Sequence, residues 1–170
     1  MAFIMYYLLS GIGGGLILLS YIVGYFMGVY TDRTLKPIRD AWGGVPVWLL
    51  WVSLVACSVV YINIVVYSEL DSLRPFWVFG SSLFWLGAVS WVGTLRYHQS
   101  SGSEFLMELS LRLTALGSLV WFAAICIHVG YAVWRDDASV WKHALMVLCG
   151  LLSFLHHLLY DAIYWYNGYL

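Results

Sequence analysis

Charge is what this chain has least of. Asp, Glu, Lys and Arg make up 10% of its 170 residues and hydrophobic residues 62%, whereas an ordinary soluble domain is about one quarter charged. A formal net charge of −1 with no basic run removes the electrostatic footprint by which proteins hold nucleic acid, so no nucleic-acid partner is expected. The three cysteines, Cys57, Cys126 and Cys149, are odd in number, far apart and set in apolar stretches. They read as small buried hydrophobes and exclude both a disulfide frame and a thiolate metal centre.

Other absences narrow the chemistry. There is no Asn-x-Ser/Thr sequon, no Cys-x-x-Cys, no phosphate-cradling glycine loop and no Ser/His/Asp motif. The longest polar connection, about sixteen residues, leaves no room for a soluble catalytic domain. The N-terminus lacks a Lys/Arg-bearing leader, and its apolar run outlasts a signal core, so it reads as a retained span. No catalytic residue, metal or cofactor is assigned, and an enzyme is the less favoured class.

What is present is long apolar sequence, with a mean hydropathy of +0.83. By the criterion of roughly 18 apolar residues with few charges, five spans are predicted, at about 3–29, 46–67, 75–95, 108–134 and 141–166. The expected fold is an all-α, polytopic membrane protein: one domain over 1–170, a bundle of five transmembrane helices with short loops. Most of the ten tryptophans fall near predicted span ends, where the amphipathic ring suits the headgroup zone and forms an aromatic belt. The connection Thr31–Gly44 holds three of the eight basic residues. The positive-inside rule therefore places it inside, with the N-terminus outside and the C-terminus inside.

Small and polar residues within the spans mark contacts. Gly11, Gly15, Ser20, Gly24 and Gly28 lie mostly four apart and predict a ridge for helix packing in the first span, and Asn63 is an interhelical hydrogen-bonding group in the second. His98, in the stretch Arg96–Glu104, reads as a solvated loop side chain.

The segment Ser153–Trp165 is unusual because it carries two histidines and a carboxylate within a bilayer-length run. At 100° per residue, Ser153, His156, His157, Tyr160, Asp161 and Tyr164 share about 140° of the helix, opposite an apolar arc. The turn before this span centres near Asp137, so antiparallel partners have numbers summing to about 274. That arithmetic sets Arg112 at nearly the depth of Asp161, with Glu108 one turn away. A polar cluster of Glu108, Arg112, His156, His157, Tyr160 and Asp161 is therefore expected, with Arg112 and Asp161 as a buried ion pair. The same register disfavours an internal bis-His haem. His128 matches position 146, and His157 lies about 16 Å further along, so those two cannot share one iron.

These features together point to a non-catalytic integral subunit of a larger membrane assembly. Its partners would be the lipid bilayer, with bound lipid, and other membrane subunits or further copies of itself. The alternative is a small transporter, channel or lipid-binding protein that uses the cluster as a proton, ion or headgroup site.

Overall fold

The computed structural model describes residues 2–31, 55, 73–135 and 140–165, and within them the side chains of 11–31, 55, 73–135, 143–159 and 161–163. The predicted second span, Asn63 and the basic connection lie outside the described residues, apart from Val55, which is helical. Among the described residues there are four helices and no strand: α1 (Ala2–Phe26), α2 (Arg74–Ser101), α3 (Phe105–Trp134) and α4 (Val140–Leu155), the last continuing as a π-helical segment, His156–Trp165. Three stretches are long and apolar enough to cross a membrane: Arg74–Ser101, Phe105–Trp134 and His143–Ile163. In α1 the stretch Gly11–Phe26 is likewise apolar.

Their ends follow from local chemistry. Pro75 sits in the first turn of α2, where its missing N–H costs nothing. Gly102 ends that helix in the left-handed region, at φ 73°, and returns its N–H to the His98 carbonyl. At the end of α1, Gly28 takes φ 65° while its own N–H bonds the Tyr25 carbonyl and the next N–H, of Val29, bonds that of Gly24. This is the Schellman arrangement, and it makes Gly28 a helix terminator instead of the packing position expected of it.

Among the described residues the α2–α3 hairpin is the most extensive contact; α1 packs on α2, and α4 and the π segment pack on α3. Glycine lets the two backbones of the hairpin approach. A Cβ on Gly117 would lie 2.7 Å from the Gly80 carbonyl and 2.8 Å from the Phe84 Cα, and one on Gly87 would overlap the Thr114 hydroxyl. Hydroxyls fill the rest of the seam: Thr94 and Ser110 bond across it at 3.1 Å, and Trp121 Nε1 donates to Ser81 Oγ at 3.2 Å. Ser110, Thr114 and Ser118 also donate to carbonyls three or four residues back. Their polarity is thus satisfied without a formal charge.

One core cluster joins Trp77, Trp121, Ala124, Ile125, Met146 and Cys149, and a second joins Val29, Val92, Leu95, Met107 and Leu111. Ala162, on the π segment, packs against the second.

Of the ridge expected on α1, Gly24 meets α2. Among the described residues nothing lies within 4 Å of a Cβ built on Gly11 or Gly15, whereas one on Gly13 would overlap the Trp85 indole. The line that meets α2 runs through Gly13 and Gly24, and Gly24 approaches Val92. Ser20 bonds the Ile17 carbonyl within its own helix at 2.7 Å. The end of α1 is tied down by Gln99, whose amide donates to the Val29 carbonyl at 3.1 Å.

Candidate functional site

Intramembrane ionisable side chains are the residues to follow in a molecule of this composition. His156, His157 and Asp161 sit where α4 gives way to the π segment. Both histidines are buried, at 8% and 7% exposure, and their rings meet edge to face with centroids 5.2 Å apart. His157 Nδ1 lies 2.7 Å from the Ser153 carbonyl, so that nitrogen carries the proton and Nε2 faces away from the helix's own backbone. Phe84 of α2 stands edge to face with the same imidazole at 4.9 Å and packs on Trp121 at 4.6 Å, fixing the ring from the hairpin side.

His156 Nε2 is 3.8 Å from Asp161 Oδ1, with the Asp161 side chain 27% exposed. That separation is within ion-pair range but too long for a hydrogen bond. From α1, Tyr21 lies within electrostatic range of the Asp161 carboxylate and packs its ring on Trp91 of α2 at 5.8 Å. The site is thus framed by α1, α2 and the π segment.

The expected six-residue cluster divides into two. Glu108 and Arg112 pair with each other across one turn of α3, and the Arg112 side chain is 71% exposed. Arg112 is not the counter-ion of Asp161; among the described residues the carboxylate's ion-pair partner is His156. Two physical causes account for this. The face of α3 that turns inward carries Ser110, Leu111, Thr114, Gly117, Ser118 and Trp121, because those small residues admit α2. Arg112 is thereby left on the outer side, beside Leu116 and Leu119. In addition, π geometry takes about 4.4 residues per turn, so a 100° wheel misplaces positions beyond Leu155. The Tyr160 side chain lies outside the described residues.

Two other histidines are buried, and His98 thereby departs from the solvated loop position expected of it. His98 is helical and buried, with Nδ1 3.2 Å from the Ser103 carbonyl, because α2 runs on to Ser101. His143 is buried at 8% exposure on α4 and stands opposite His128 of α3, ring centroids 6.2 Å apart. The signal that would have found it is the hairpin register, since 128 and 143 sum to 271, close to 274. No group of three or more His, Cys, Asp and Glu side chains capable of holding a metal occurs among the described residues.

Comparison with protein-family models, curated proteins and solved structures finds no match.

Proposed function

We propose that this chain is a five-span integral membrane protein that binds or passes a proton or small cation at His156, His157 and Asp161. One observation carries the reading: two buried imidazoles and a carboxylate are grouped with no arginine or lysine at ion-pair distance from the carboxylate among the described residues. A buried ion pair that merely fixes register needs a permanent positive partner, and the candidate expected from the register, Arg112, is exposed and paired with Glu108. Imidazoles can instead gain and lose the compensating proton, which suits a relay or a coupled cation site. The proposed topology keeps the N-terminus outside and the C-terminus inside.

The test is flux in liposomes reconstituted with the full chain and loaded with a pH-sensitive dye. Asp161→Asn is expected to lower proton or coupled-cation flux at least about tenfold while leaving the protein folded. Flux no greater than that of empty liposomes, or unchanged by the substitution, would reject the proposal.

A second reading, a non-catalytic subunit of a membrane assembly, has its own support. Gly11 and Gly15 present a small-residue surface with no described neighbour, and Leu18, Tyr25 and Phe26 on the same helix are strongly exposed. Another helix of this chain, a partner subunit or a second copy could lie there. Co-purification of a stoichiometric partner in mild detergent, lost in Gly11→Leu/Gly15→Leu, would favour it; an intact monomer would count against it.

A further inference from the structure

The chain folds back where α1 ends, and a buried phenol is held in the fold. Gly28 reverses the backbone, Gln99 holds the Val29 carbonyl, and Tyr30 returns against the helix it follows. Its hydroxyl lies beside Gly24, where a Cβ would stand 3.1 Å from the oxygen, and its ring centroid is 6.3 Å from that of Trp91. The Tyr30 hydroxyl is buried and has no hydrogen-bond partner among the described residues. A buried polar group in that condition costs about 1–3 kcal/mol, a cost that phenylalanine would avoid while packing in the same place.

Two sets of contacts put this hydroxyl next to the candidate site. Gly24 stands one turn beyond Tyr21 on the same face of α1, about 4.5 Å along the axis. Tyr21 in turn lies within electrostatic range of both Tyr30 and Asp161. From the π segment, Ala162, the residue after Asp161, packs against the cluster that contains Val29 and Val92, and Val92 is also what Gly24 approaches. In the sequence Tyr30 is the last residue before the polar connection Thr31–Gly44. A line from Asp161 past Tyr21 to Tyr30 therefore leads from the buried site toward the polar end of α1.

We infer that the Tyr21 and Tyr30 hydroxyls carry protons between Asp161 and this end of the molecule, an inference that rests on the proton reading of the site proposed above. A phenol both donates and accepts a hydrogen bond. A proton leaving the Asp161 carboxyl is taken onto a lone pair of the Tyr21 oxygen as that hydroxyl gives up its own proton to a bridging water. The water passes a proton to Tyr30 in the same way. Each O–H bond broken is replaced by one formed, and neither tyrosine is left ionised. Buried polar groups are where internal waters are held, which suits the gap between one hydroxyl and the next. Two neutral phenols give a metal cation no charge to offset its lost hydration, so the route selects the proton over a small metal cation.

The experiment measures proton flux in liposomes containing the full chain, with the same salt on both sides. Tyr30→Phe and Tyr21→Phe should each lower flux at least about fivefold. The unfolding midpoint of Tyr30→Phe in detergent should be unchanged or raised, because the substitution removes a buried hydroxyl that has no described partner. Flux in Tyr30→Phe equal to that of the unsubstituted protein, while Asp161→Asn still lowers it, would overturn the tyrosine route and leave the site intact. Flux that Asp161→Asn does not alter would reject the site itself and the route with it. A midpoint that falls together with the flux would make the phenol structural and also overturn the route. Infrared spectroscopy supplies a test that needs no tyrosine variant: with Tyr30 alone isotope-labelled, its C–O stretch should report a hydrogen-bonded hydroxyl and shift in Asp161→Asn. A band of an unbonded hydroxyl, or one indifferent to Asp161→Asn, would overturn the route.

Discussion

The α2–α3 seam and the π segment both bury polar groups, and they do so by opposite means. In the seam every described hydroxyl donates to a carbonyl of its own helix or meets a partner across the interface, so polarity adds adhesion without charge. In the π segment the buried groups are titratable, and they keep company with each other and with aromatic rings. Hydroxyls of the first kind contribute around 1 kcal/mol to helix association. Ionisable groups of the second kind cost free energy to bury, and a structure that merely had to hold together would do better with phenylalanine or leucine.

Substitutions can sharpen or break this contrast. The largest effect is expected at Gly117→Leu, where a side chain would be driven into the backbone of α2; a loss of at least about 3 kcal/mol, read as a lowered unfolding midpoint in detergent, is the outcome to look for. A midpoint unchanged by this substitution would mean that the seam is not the tight interface described. His157→Phe comes next and separates the two regions most cleanly. It keeps an aromatic ring against Phe84, so stability should change by less than about 1 kcal/mol while liposome flux falls about tenfold. A large destabilisation with normal flux would make the histidine structural.

Trp121→Phe removes the bond to Ser81 and should cost about 1 kcal/mol, since a buried hydroxyl is left without its donor. The smallest effect is expected at Arg112→Gln, under about 0.5 kcal/mol, because the pair with Glu108 is exposed and local. A cost of several kcal/mol there would restore Arg112 as a buried counter-ion.

Membrane-length helices were legible in the sequence because apolar length is a strong signal: the helices found at Arg74–Ser101 and Phe105–Trp134 enclose the spans predicted there. The inward face of α3 was read wrongly. Attention to charge favoured Glu108 and Arg112, whereas close approach is decided by the least conspicuous residues, Gly117 with Ser110, Thr114 and Ser118. At the candidate site the histidines and the carboxylate stood out at once, as buried charge does in an apolar run. Their partners did not, since helical arithmetic assumes one pitch throughout. His143 lies two residues into its predicted span, where a single polar side chain carries little signal, and only pairing it by depth with His128 reveals the juxtaposition.

The π stretch has an evolutionary and mutational consequence. Its wider turn accommodates one residue more than an α-helix would over the same path, so deleting a single residue between Leu158 and Tyr160 should leave a continuous helix that spans the same distance. Helicity by circular dichroism would then hardly change. The carboxylate of Asp161, five wide-pitch residues beyond His156 before the deletion and four α-helical residues beyond it afterwards, would keep its bearing to within about 10°. A chain shortened by one codon there would keep both its shape in the bilayer and the aim of its carboxylate, which makes the wide turn the position where length variation is best tolerated.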